Sequence, residues 1–221
     1  MQMRIGVVGG SGGVGASTFA AVLAWAAGSG ILVDLDPVGG GLDVLLGIEH
    51  EPGARWSGLR LDGGRLDPEL LADGLPRWAG VPVLAVDLPP PDGPEPVLAA
   101  ASGKGVAVID LPRASSPSRD AAAAGCEFVV MVVEARVRCL AAARAVLASL
   151  PDVPVGVLVR RGDVPSGDVA AVVGVNLLGA FPAMARGIDL TGGRVPRALA
   201  RVAAGVLDGA LDGALDGLGP R

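Results

Sequence analysis

Apolar runs recur along the chain at residues 3–8, 30–35, 81–86, 105–110, 127–133, 153–159 and 175–181. Most are apolar at consecutive positions rather than at alternate ones, the pattern of a strand buried on both faces. Segments of helical character separate most of them, at 17–28, 68–75, 94–102, 116–124, 136–150 and 166–173. This alternation predicts an α/β fold with a mostly parallel central sheet and helices on both faces. Residues 136–150 give the clearest helix, with Val137, Leu140, Ala141, Leu147 and Leu150 on one side and Arg136 and Arg144 among the polar positions. Pro and Gly without periodicity mark 50–66 and 87–94 as loops. A last helix is predicted from about Pro196 into a tail, 207–217, that repeats Leu-Asp-Gly-Ala. Each Gly costs a helix about 1 kcal/mol against Ala, which predicts against a stable helix in the repeat. The expected division is one domain over 1–206 and a low-complexity tail over 207–221.

Composition narrows the chemistry. A chain of 221 residues, 51% apolar, can bury a substantial core as one domain. Only 3% is aromatic, there is no Tyr, and Lys104 is the only Lys. A net charge of −5 argues against a general nucleic-acid coat. His50 stands alone, which excludes a His-based metal site or a Ser-His-Asp triad. Cys126 and Cys139 are too few for a disulfide scaffold and read as small reduced residues on different elements. Val14 to Val33 carries no charge, yet glycines interrupt it, Ser17 and Thr18 sit inside it, and Asp34 and Asp36 follow at once. Those features speak against a leader or a membrane span and for a cytoplasmic protein.

The densest signal lies at 9–18, Gly-Gly-Ser-Gly-Gly-Val-Gly-Ala-Ser-Thr, between the first strand and the first helix. A phosphate-loop frame, G-x-x-x-x-G-K-[ST], lands on Gly10, Gly15, Ala16 and Ser17, with Ala16 where the lysine belongs. Backbone N–H groups of Gly10, Ser11, Gly12, Gly13, Val14, Gly15, Ala16, Ser17 and Thr18 would then converge on an anion at the helix N-terminus. Asp34 and Asp36 end the second strand, and Asp110 ends another, where ligands of parallel sheets bind. Ser17 would ligate Mg²⁺ directly and Asp110 would hold it through water. A rival reading exists, because residues 10–15 also fit G-x-G-x-x-G with Asp34 about 20 residues on, as an NAD(P)-binding Rossmann turn requires. It lacks the Tyr and other acid/base groups that hydride transfer needs.

These residues resemble the deviant-Walker family of ParA and MinD ATPases, whose loop reads Lys-Gly-Gly-x-Gly-Lys-[Ser/Thr]. Here that frame reads Ser11-Gly12-Gly13-Val14-Gly15-Ala16-Ser17, so both family lysines are replaced, at Ser11 and Ala16. The resemblance assigns the water-orienting aspartate to Asp36 and the Mg²⁺-side aspartate to Asp110, and it finds Arg160 where the family has an Asn near adenine. Residues 36–47, Asp-Leu-Pro-Arg at 110–113 and Val-Arg-Arg-Gly at 159–162 are similar to the CpaE/TadZ branch, including actinobacterial proteins described as septum-site-determining. What this implies is a P-loop NTPase-like fold that binds ATP and Mg²⁺ weakly, with little hydrolysis, and that positions pilus, secretion or division machinery. Arg113 is the residue placed to restore one positive charge beside the loop. The resemblance also implies a homodimer facing across the loops; with Ser11 in place of the signature lysine, it should form without nucleotide. An active MinD- or ParA-type partition ATPase is the alternative. Branch members often carry a receiver-like domain before the first strand, and here the strand starts at once. Asp208, Asp212 and Asp216 in the tail would repel anionic lipid, so no membrane insertion is expected. Arg194, Arg197 and Arg201 read as a solvated face, so nucleic acid is not expected either.

Overall fold

The computed structural model describes residues 2–60, 65–182 and 188–211. Eight strands form one sheet in the order β3-β4-β2-β5-β1-β6-β7-β8. They are β1 (Met3–Gly9), β2 (Leu32–Asp34), β3 (Arg77–Trp78), β4 (Val81–Leu84), β5 (Val106–Leu111), β6 (Phe128–Glu134), β7 (Val155–Arg160) and β8 (Asn176–Phe181). The pairing of β3 with β4 is antiparallel, and the other pairings are parallel.

Alternate side chains of the inner strands feed two cores, one on each face. Val129, Met131 and Val133 of β6 pack beneath α4 (Glu95–Gly103), α5 (Pro117–Ala124), α6 (Val137–Ser149) and α7 (Ser166–Val173), with α3 (Pro68–Gly74) beside them. Phe128, Val130 and Val132 pack on the other face, beneath α1 (Ala16–Ala27), α2 (Leu42–Leu46) and α8 (Arg197–Leu211). Burial on both faces explains the uninterrupted apolar runs of the inner strands, whereas β8, at the sheet edge, is mostly exposed or half-buried.

Three local expectations change. On α6, Leu140, Leu147 and Leu150 are buried, but Val137 is 76% exposed and Ala141 faces solvent. The buried stripe runs instead through Leu140, Ala143, Val146 and Leu147. The segment 50–66 holds a short 3₁₀ turn at Trp56–Gly58, and residues 61–64 lie outside the described residues. The last helix continues to Leu211, into the repeat, because Val206 and Leu207 are buried against the α1 face and offset the cost of glycine. The remaining repeats lie outside the described residues.

The consecutive strands β5 and β6 flank β1 on opposite sides, so the strand order reverses there and a crevice opens at the carboxyl ends of β1, β2 and β5. The ends of β2 and β5 are tied together there, since the Leu35 amide donates to the Asp110 carbonyl at 3.0 Å.

Candidate functional site

The loop from Gly9 to Ala16 fills that crevice. Its start is anchored from behind, as the Gly10 amide donates to the Val132 carbonyl at 2.8 Å. A Cβ on Gly10 would come within 2.8 Å of the Ala143 Cβ, so only glycine lets the loop lie this close to α6. Gly13 and Gly15 take left-handed φ values of 68° and 96°, and Gly15 caps α1 without any side-chain cap. The first turn of α1 holds no acidic residue, and its orphan N–H groups open toward the cleft.

Opposite the loop stand three carboxylates. Asp34 and Asp110 are neighbours in register on β2 and β5, and both are buried. Asp34 accepts from the Asp36 amide through Oδ1 and from the Leu42 amide through Oδ2, each at 2.9 Å. Both its oxygens thus hold the 35–42 turn to the end of β2. Burial nonetheless dominates and pushes the Asp34 carboxyl up to about 6. Asp110 is pushed well above the carboxylate range by burial first and by the Asp34 charge second, while a hydrogen bond with the Ser17 hydroxyl acts the other way. Asp36 takes a different role: its Oδ1 accepts from the amides of Val38 at 3.0 Å and Gly39 at 3.1 Å, closing the turn that leads to α2.

Positive charge is scarce. Ala16 places a methyl group at the mouth of α1, and Lys104 lies at the end of α4, paired with Glu69 at 3.0 Å. Arg113 does reach the loop, with its Nη2 3.6 Å from where a Cβ of Gly12 would stand. Arg160, from the end of β7, donates to the Val14 carbonyl at 3.1 Å and lies over the Phe181 ring, 5.9 Å from its centroid.

Together these groups enclose a cleft of about 360 Å³ lined by Ser11 to Thr18, Asp34, Asp36, Asp110 and Arg113. Gly10 is the one loop residue singled out from sequence that does not line it, because it packs on α6. Among the described residues no group of three or more His, Cys, Asp or Glu forms a ready metal cage. Mg²⁺ often binds through one or two protein groups with the substrate's phosphates and water, and Ser17 and Asp110 fit that limited role. The amide cradle likewise fits a phosphate, while Arg113 is the only positively charged residue in the cleft lining to set against a triphosphate.

Sequence reasoning gave one contributor the wrong role and missed another. Asp34 reads from sequence as one of several strand-end acids, yet it holds the whole 35–42 turn to the sheet. Arg119 is fully buried, donates to Asp120 at 2.7 Å and to the Ser149 hydroxyl at 3.1 Å, and so fixes α5, just after Arg113, against the end of α6. Nothing in its local sequence separates it from the many exposed arginines.

No protein-family model matches the chain. Two uncharacterized proteins of Mycobacterium tuberculosis, from strains H37Rv and CDC 1551, are 41% identical to it over 195 residues. The alignment covers 82% of this chain and 55% of theirs, so the chain spans about half the length of the curated relatives it matches. Among solved structures, the septum site-determining protein MinD of Pyrococcus horikoshii, complexed with Mg-ADP, superposes with a TM-score of 0.70 at 19% identity, over 97% of this chain and 99% of that one. A ParA family ATPase of Chlorobium tepidum gives 0.66 at 19%, over 95% and 94%. The MinC:MinD cell division protein complex of Aquifex aeolicus gives 0.67 at 17%, over 94% and 96%. The chain has the α/β fold of the ParA and MinD P-loop ATPases.

Proposed function

We propose that the chain is a nucleotide-fold scaffold of ParA/MinD type that positions other machinery and hydrolyses ATP weakly or not at all. One observation carries this reading: the glycine loop and open helix N-terminus are kept, but Ala16 replaces the phosphate lysine and the cleft lining holds three carboxyl groups and a single arginine. A charge-assisted hydrogen bond to phosphate contributes about 1.5–3 kcal/mol, so its loss lowers affinity roughly ten- to a hundredfold. Hydrolysis suffers more, because phosphoryl transfer rests on charge stabilisation in the transition state.

The scaffold would self-associate and act from the cytoplasm, recruited to a pole or septum through partner proteins. Its partners would be components of a Tad-type pilus or secretion apparatus or of the division machinery. Support comes from the CpaE/TadZ-like segments at 36–47, 110–113 and 159–162 and from a fold neighbour whose structure is a complex with MinC. Among the described residues no helix is long and apolar enough to cross a membrane.

Calorimetry with ATP, ADP and NAD(H), paired with an ATP turnover assay in Mg²⁺, tests the reading. Turnover at the rate of lysine-bearing relatives would overturn it, and firm NAD(H) binding would promote the dinucleotide alternative. The position of Arg113 favours a second reading, an active ATPase in which its guanidinium stands in for the lysine. In that case Arg113→Ala abolishes turnover.

A further inference from the structure

The phosphate loop of this protein is gripped from outside the cleft. Arg160 does not line the cleft; its Nη1 donates to the Val14 carbonyl at 3.1 Å and lies 3.5 Å from the Gly13 carbonyl. The guanidinium is held in turn by the Phe181 ring, 5.9 Å away. That ring also packs on the loop, 3.4 Å from where a Cβ of Gly15 would stand, and against Phe19 of α1, with centroids 6.2 Å apart. The ends of β7 and β8 thus form a bracket on the back of the loop. The peptide bonds are trans, so each N–H points opposite to the C=O of the same unit. When Arg160 draws the carbonyls of Gly13 and Val14 outward, the amides of Val14 and Gly15 are turned inward, to the cleft they line.

We infer that Arg160 is a positioning residue that sets the phosphate loop in its anion-accepting conformation before any ligand arrives. It supplies internally, through the loop carbonyls, the order that a bound phosphate and a loop lysine would otherwise impose. The inference deepens the scaffold reading but rests on the loop geometry alone. It gives that reading a mechanism: a loop already set has little left for a nucleotide to change, so ATP is a poor switch in this chain. Charge and reach are both required, since Arg160 must span from β7 to two successive carbonyls while its planar group stacks on Phe181.

Backbone ¹⁵N relaxation across Gly12 to Ser17 tests this, with the wild-type chain recorded alone and with ADP and Mg²⁺. Order parameters are expected near those of rigid backbone, about 0.85, in both samples. In Arg160→Ala they should fall below about 0.6 over the same residues while the strands keep theirs, and Arg160→Lys should recover part of the loss. A wild-type loop that is mobile alone and becomes ordered only with ADP and Mg²⁺ would overturn the inference, and that comparison needs no variant. An Arg160→Ala loop as rigid as the wild type would overturn it too. ATP turnover measured on the same samples bears on the scaffold reading alone, so the two ideas can fail separately.

Discussion

Two side-chain positions govern what the cleft does with charge. Ala16 sits at the first position of α1, beside Ser17 and within the cleft lining, so a lysine there would enter the phosphate site directly. Ala16→Lys is expected to raise ATP affinity roughly ten- to a hundredfold by calorimetry, the inverse of the loss assigned to the missing charge. An unchanged affinity would mean that the acidic wall, rather than the missing lysine, limits binding. That wall has its own signature in pH. Asp34 titrates near 6 in the native protein against an ordinary 3.8, and Asp110 is displaced in the same direction. The native state therefore holds protons that the unfolded chain releases. The pair's contribution to stability is fully present below the ordinary carboxylate value and is lost as pH rises through the native one. Asp110→Asn removes one charge and keeps an oxygen for the Ser17 hydroxyl. The variant should match the wild type in urea denaturation near the ordinary carboxylate value and exceed it in stability near neutrality, because the amide never has to lose a proton in the buried site. A constant difference across pH would refute the coupling.

At the scale of elements, the inner strands were legible because burial on both faces makes them apolar at consecutive positions; the same kind of run marked β8, although its place at the sheet edge leaves most of it exposed or half-buried. β3 was not legible. It is two residues long, Arg77–Trp78, and pairs antiparallel with β4 through Ala79 and Gly80. Both turn residues have positive φ, 47° and 88°, the conformation of a mirror-image hairpin turn, but Ala-Gly carries none of the Asn-Gly signal by which such turns are read. Ala79 is the single non-glycine residue with positive φ among the described residues, and its side chain is exposed. Left-handed backbone costs an L-residue about 1–2 kcal/mol, less for Asn, so Ala79→Asn should raise the unfolding free energy by roughly 0.5–1 kcal/mol. Thermal or urea melts measure this directly; a destabilised variant would mean that the strain is relieved elsewhere. The candidate site divides in the same way. The loop spacing and the strand-end acids are local patterns and could be read. The grip of Arg160 on Val14 joins residues 146 apart and depends on β7 and β8 ending beside the loop, which no local window contains.

For the whole molecule, the question is what surface would join two copies if nucleotide does not. The described residues leave Val38 89% exposed and Val44 59% exposed, one in the turn closed by Asp36 and the other on α2, both next to the cleft mouth. Both lie on the segment between β2 and the end of α2, whose Gly39, Gly41, Leu42 and Leu45 line the cleft, so an association across the cleft mouth would cover them. Ser11 is too short to reach across such an interface to a partner's phosphates, so apolar contact and not shared nucleotide would have to supply the energy. The expected outcome in light scattering is a dimer whose population is the same with and without ATP and Mg²⁺. Val38→Asp should shift it to monomer at equal concentration, because a carboxylate buried at the contact would be left without a partner. A chain that stays monomeric throughout would remove self-association from the functional reading. A dimer that appears only when ATP and Mg²⁺ are added would show instead that the cleft still works as a switch, and Arg113 would then be the residue carrying its charge.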